Sequence, residues 1–245
     1  MSKRSEYVTA LLALRADEWE SYLAAHSGLP GPRGNLELLH AVADVAAPGQ
    51  LRSWAADTDE YLAACGATGL GRLVVERDPD AVGELTVLAA DDRWRVREGV
   101  AMALQRIGDS APARMREIAE TWAGGGPLVQ RAAIAGLCEP RLLSTEADAQ
   151  VAVTILDRVT ASLAALPPAR RRDADVRTLR QALGYCWSVA VAAAPGAGFP
   201  ALERLATAGD GDVRWVVREN LKKTRLERAD PEGAARLLAL LETTT

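Results

Sequence analysis

The chain is poor in the residues on which most chemistry and most sheet packing depend. Aromatics make up 4% of 245 residues, with a single Phe. Leu and Ala carry the apolar load instead, a composition that suits closely packed helices and serves β-sheets badly. Histidine occurs twice, at His26 and His40, and cysteine three times, at Cys65, Cys138 and Cys186. The cysteines form no CxxC pair, and with two histidines they give no zinc-ligand spacing, so no metal site is expected. Odd in number and widely spaced, they read as buried, reduced thiols. There is no excess of positive charge. The formal net charge is −4 and the isoelectric point about 5.4, a balance that argues against a dedicated nucleic-acid binder without excluding a local basic face.

Long apolar runs are missing too. The stretch Trp187–Ala194 stops at Pro195, far short of the roughly 20 residues that span a bilayer. The N-terminal apolar run is interrupted by Arg15 and lacks a signal-peptide cleavage pattern. A soluble, cytoplasmic protein is the expectation. No GxSxG, Walker loop, GxGxxG or HExxH occurs, and neither histidine has an evident nucleophile beside it, so neither an enzyme activity nor a cofactor is indicated.

What the sequence does contain is a hexapeptide written twice. Arg93–Glu98 reads RWRVRE and Arg214–Glu219 reads RWVVRE, identical at five of six positions and 121 residues apart. An acid precedes each copy, Asp91 or Asp92 in the first and Asp212 in the second. The spacing is about three periods of a 40-residue helical repeat. Helix start and stop signals recur through the chain. Asn35, Thr58 or Asp59, Asp78, Asp91–Asp92, Ser110, Ser144, Asp173 or Asp175 and Asp230 are candidate caps. Pro48–Gly49, Gly108, Gly124–Gly126, Pro167–Pro168 and Pro195 are stops. About fourteen helices and no strand are predicted, with an amphipathic pair every 35–45 residues. Gly66, Gly69 and Gly71 fall inside one predicted helix. They signal either close helix approach or a break into two helices.

The residues Asp92–Gly108 and Asp212–Leu221, with weaker copies at Val129–Leu137 and Asp175–Arg177, resemble HEAT repeats over residues 78–226. The resemblance implies an all-α, right-handed α-solenoid of antiparallel helix pairs, about six of them, in one domain. An irregular helical part would occupy 1–77, regular repeats 78–226 and a capping helix 227–245. The second helix of each pair would line a concave surface that acts as a non-catalytic binding scaffold for a protein or peptide partner. The stripe Val96, Val100, Leu104 and Ile107 is the face expected to be buried against the paired helix. Arg97 and Arg218 could each tie to a turn acid.

Packing accounts for the Val, Arg and Asp of the motif but does not require its tryptophans. Trp94 lies beside Arg97 and Glu98 at helical spacing, and Trp215 beside Arg218 and Glu219. Each indole could plug the space between helix layers or form, with a stacked guanidinium, part of a recognition surface. The second copy is locally basic, with six basic residues against two acids between Val213 and Arg228. Arg214, Arg218 and Lys222 form an i, i+4, i+8 stripe that reads either as a solvated face or as phosphate-contacting cations. Two loops stand out. Arg170–Arg172 reads as an exposed loop. Ser27–Asn35, with Arg33 and Asn35, holds three Gly and two Pro and is either a functional loop or a crossing into the repeats. In architecture the chain also resembles bacterial HEAT-like alkylpurine DNA glycosylases, in which Trp residues and a carboxylate act on the damaged nucleotide. On that resemblance Glu98 and Glu219 are the catalytic candidates and nucleic acid is the alternative partner. The carboxylates here are Glu where that family has Asp, and the chain is acidic.

Overall fold

A computed structural model describes residues 2–243. Among them there is no strand, and the chain falls into two compact all-α units, the first ending at Ala111 and the second beginning at Pro112. The first holds α1 (Lys3–Ala13), α2 (Trp19–His26), α3 (Leu36–Val45), α4 (Pro48–Ala55), α5 (Glu60–Val75), α6 (Ala81–Leu88) and α7 (Trp94–Ser110). The second holds α8 (Pro112–Trp122), α9 (Pro127–Leu137), α10 (Glu146–Ala165), α11 (Ala174–Ala193), α12 (Pro195–Ala206), α13 (Gly211–Leu221), α14 (Thr224–Ala229) and α15 (Pro231–Thr243).

Each unit is a helical solenoid, recognisable from which helices touch. In the first, α3, α5 and α7 pack side by side as a layer of alternate helices, while α4 and α6 lie against α5 from the other layer. In the second, α9, α11 and α13 form one layer and α8, α10, α12 and α15 the other. A helix therefore meets both its chain neighbour and the helix two further on, which is how repeats bury faces that no single pair can cover.

The caps explain where the helices start. The side-chain oxygen of Asn35 accepts the Leu38 amide at 3.1 Å, and Asp59 accepts those of Tyr61 and Leu62. Thr145 caps α10 where Ser144 was expected, and Asp210 caps α13. Pro195 follows the end of α11, as expected of a stop, and also opens α12, which runs on through Pro200. Standing past the first turn, Pro200 has no amide to donate to the Gly196 carbonyl, so α12 lacks one intrahelical bond there. The basic segment after Val213 is not one helix: Lys222–Lys223 separates α13 from α14.

The three helical glycines do not break α5, which is one helix of 16 residues. They are points of close approach. A Cβ at Gly71 would stand 2.6 Å from the Ala103 oxygen of α7, and one at Gly99 would stand 2.8 Å from the Ala64 oxygen of α5. At Gly66 it would enter the backbone of α4 at Leu51 and Ala55. Val96, Val100, Leu104 and Ile107 are fully buried, as the motif's periodicity requires. Cys65, Cys138 and Cys186 are all buried and in no disulfide, and the Cys138 thiol hydrogen-bonds with that of Cys186.

Arginine–carboxylate ties join helices about one repeat apart. Arg52 bonds Asp78 and Glu84 at 2.6 and 2.8 Å, Arg95 bonds Glu60 at 2.7 Å, Arg116 bonds Asp148 at 2.5 Å and Arg236 bonds Glu203 at 3.2 Å. Asp44 of α3 is held by both Arg4 and Arg106. Burial pushes its carboxyl up, but the bonds from the two guanidiniums outweigh burial and hold it below the usual carboxylate range.

Two outcomes follow. Gly66→Ala should destabilise by about 1–3 kcal/mol or more, because backbone has to move. Gly83→Ala, on an open face of α6, should stabilise by about 0.5–1 kcal/mol. Urea midpoints of the two variants check the contrast. Because the folded Asp44 titrates below its unfolded value of about 3.9, its contribution is present above that pH and is lost as pH falls through the folded value. Asp44→Asn should therefore reduce stability at pH 6 and flatten its decline below pH 4, as read from urea unfolding across that range.

Candidate binding face on the second helices

Of the six tryptophans, Trp19, Trp54, Trp122 and Trp187 are buried. Trp54 donates its indole N–H to Glu20 at 3.1 Å, and Trp187 donates to the Thr160 hydroxyl at 3.0 Å. The two motif tryptophans differ from these. Trp94 is 50% exposed and Trp215 half-buried.

In the first unit, Trp94 opens α7. The guanidinium of Arg95 sits 4.5 Å from the centre of its ring. Arg95 is itself fixed, bonding Glu60 on α5 at 2.7 Å and the Gly31 carbonyl at 3.2 Å. Arg97 turns back to the carbonyls of Asp91 and Asp92 at 2.6 and 2.8 Å, so it fastens the turn through backbone oxygens. The inter-repeat tie is made by Arg95. The loop Ser27–Asn35 lies beside this motif. Leu29, Pro30 and Gly31 line a cleft of about 500 Å³ with Glu20, Glu60 and Arg95. Asn35 is committed to structure: its amide donates to the Tyr7 hydroxyl and the His26 carbonyl, and its own carbonyl accepts from the Tyr61 hydroxyl. Arg33 is exposed. Glu98 is half-buried on α7.

In the second unit the repeated motif occupies the middle of α13, where in α7 it forms the first turn. Trp215 packs toward α11: a Cβ added at Gly184 would stand 3.1 Å from its ring. The Arg180 guanidinium lies 4.3 Å from the centre of that ring and also bonds Asp212. The basic stripe divides. Arg214 donates to the Leu241 carbonyl at 2.8 Å, and Lys222 pairs with Glu219 at 2.5 Å. Arg218 is exposed and shares with Lys222 a cleft lined by Leu221, Leu238 and Leu241. The stripe thus faces α15 while Trp215 faces α11. Glu219, one of the two catalytic candidates, is spoken for by Lys222, and Glu98 lies in the other unit.

The seam between α11 and α13 is locked by Asn220, which is fully buried. Its amide donates to the carbonyls of Leu183 and Val216, each at 2.8 Å, and its oxygen accepts the Ser188 amide at 2.7 Å. Beyond it the seam ends in Tyr185, 46% exposed, with the Arg225 guanidinium 4.9 Å from the ring centre, the Lys223 amine at 5.8 Å, and an Arg225 bond to the phenol oxygen at 3.0 Å. Sequence reasoning missed Tyr185. The available signal was the basic run at Lys222–Arg225, about one repeat period after an isolated tyrosine.

The loop Arg170–Arg172 is a single 3-10 turn and not wholly exposed. Arg171 reaches inward to the carbonyls of Leu166 and Ala164 and to Asp210 and Asp212. Its neighbour Arg172 stays in solvent.

No family model and no curated protein matches the chain. Solved structures do. An engineered protein is 18% identical over 94% of this chain and 98% of its own, with a TM-score of 0.38. A second engineered protein is 17% identical over 94% and 100%, with a TM-score of 0.40. A designed armadillo repeat protein is 16% identical over 90% and 98%, with a TM-score of 0.38. Likeness at this level carries nothing about function. The resemblance to HEAT repeats rests on the motif, and nothing found supports the glycosylase resemblance. Among the described residues no helix is long and apolar enough to cross a membrane.

Trp94→Ala should cost no more than about 0.5 kcal/mol, whereas Trp187→Ala should cost about 3–5 kcal/mol. Asn220→Ala should cost about 1–3 kcal/mol, since the buried Ser188 amide loses its acceptor. Thermal or urea unfolding of the three variants checks this ordering.

Proposed function

We propose that the protein is a non-catalytic binding scaffold. In this reading it takes a protein partner, through a short extended segment, along the α11–α13 seam of the second unit, and in the first unit Trp94 with Arg95 offers a contact on α7. One observation carries the reading. Trp94 and Tyr185 are the two large aromatics left exposed, and each is covered by an arginine on a rigid helical face. Trp, Tyr and Arg are the side chains that dominate binding energy at interfaces, because they bring large contact area at low conformational cost. Neither ring is buried in a core, and each is oriented by its arginine.

The seam offers a peptide graded contacts: a cation at Arg177, the half-buried Trp215 stacked with Arg180, then Tyr185 with Lys223 and Arg225. Acidic segments fit such a surface. A nucleic-acid backbone needs free cations in register. Two of the three stripe residues, Arg214 and Lys222, already have intramolecular partners.

Selection from a random peptide display library should enrich acidic sequences. Tyr185→Ala should weaken the enriched peptides at least tenfold, with far-ultraviolet circular dichroism unchanged. Enriched peptides that bind Tyr185→Ala as well as the native chain would remove the seam from the reading. Salt-sensitive retention of duplex DNA near 50 mM salt, lost on Arg218→Gln, would replace the peptide by nucleic acid.

A further inference from the structure

The seam opens at one end into a pocket of about 590 Å³ lined by Pro168, Arg171, Arg172, Arg177, Arg180, Gly211 and Asp212. Four guanidiniums face one carboxylate there. Two of the four are accounted for: Arg171 bonds Asp210 and Asp212, and Arg180 bonds Asp212. Asp210 lies beside the pocket and also caps α13, accepting the amides of Asp212 and Val213 at 2.9 and 3.0 Å. Burial pushes its carboxyl up. The Val213 amide and the Arg171 guanidinium overcome this and hold it below the usual carboxylate range. Two arginines and two aspartates therefore neutralise one another. The other two arginines, Arg172 and Arg177, are exposed and have no carboxylate partner among the described residues. The Arg180 Nε, shut off from solvent, has no hydrogen-bond partner either. The pocket thus holds two guanidiniums that no carboxylate binds, planar donors on a short turn and one turn of helix, while the nearby Asp173 and Asp175 are taken by Arg170.

We propose that this pocket binds the phosphate dianion of a phosphorylated serine or threonine in the peptide that lies along the α11–α13 seam, an inference that rests on the scaffold reading above. The charge is complementary: a phosphate monoester carries between −1.5 and −2 near neutral pH, and two guanidiniums without a carboxylate line the pocket. The donors match, because arginine forks bind phosphate oxygens in pairs and clustered arginines are a recurring solution for phosphopeptide recognition. The capped end of α13 is not the source of binding, since Asp210 already satisfies it. The helix sets a register as well. Arg177 and Tyr185 lie two turns apart on one stripe of α11, about 12 Å at 1.5 Å per residue. An extended peptide covers that span in about four residues. The partner segment therefore carries its phosphate about four residues from an acidic side chain that meets Lys223 and Arg225 beside Tyr185.

The test uses three fluorescent peptide libraries, degenerate except for a fixed phosphoserine, serine or glutamate and a fixed glutamate four residues away. They are titrated against the full chain by fluorescence anisotropy. The phosphoserine library should bind at least tenfold tighter than either of the others. Arg172→Gln with Arg177→Gln, two exposed positions whose change spares the fold, should reduce it to the level of the serine library, while Tyr185→Ala should weaken all three alike. Equal binding of the phosphoserine and serine libraries, with Tyr185→Ala still weakening both, overturns the phosphate pocket and leaves the scaffold standing. Failure of every library to bind overturns both. A single-stranded DNA 20-mer that displaces the phosphoserine library at equal concentration overturns the peptide assignment in favour of a nucleic-acid backbone.

Discussion

Everything in this chain depends on a second helix stacking against the second helix of the next repeat. A single amphipathic pair leaves one face uncovered, and only the following pair can bury it. The two units meet this constraint by different means. In the first, α5 and α7 come so close that Gly71 and Gly99 cannot carry a Cβ without meeting backbone oxygen. In the second, the buried amide of Asn220 bridges α13 to α11 with two hydrogen bonds and bonds its own helix with a third. Glycine fixes spacing by removing volume. Asparagine fixes it by demanding partners, since a buried amide left unpaired costs about 1–3 kcal/mol.

Once the seams are fixed, the arginines follow. Arg52, Arg95, Arg116, Arg171 and Arg180 each reach across about one repeat to a carboxylate. These ties are half-exposed, so each contributes modestly. Their larger effect is on position. Arg95 and Arg180 hold their guanidiniums against Trp94 and Trp215, so the rings meet a partner already oriented. Where arginines exceed their carboxylates, beside Arg172 and Arg177, the same grammar leaves charge for a ligand.

Much of the architecture was legible in the residues. Periodicity and caps identified an all-α chain, and the stripe from Val96 to Ile107 is buried as its spacing required. The site was legible only in part. The hexapeptide directed attention to Trp94 and Trp215, and both sit on second helices. It could not show that the ring partners are Arg95 and Arg180 in place of Arg97 and Arg218. A stacking partner one repeat away, such as Arg180, has no fixed spacing in sequence. For the same reason Tyr185 was invisible: its significance comes from Lys223 and Arg225, about 40 residues on. The stripe Arg214–Arg218–Lys222 reads as one basic face on a helical wheel. In the folded chain Leu241 and Glu219 claim two of its members, and α13 ends at Leu221, before the third.

The central claim is that the α11–α13 seam, and not the outer layer of helices, is where a partner sits. Hydrogen–deuterium exchange with and without a saturating peptide enriched from the display library tests it most directly. The account predicts that new protection concentrates in residues 170–188 and 211–226. Protection confined to α10, α12 and α15, with the seam unchanged, would contradict it.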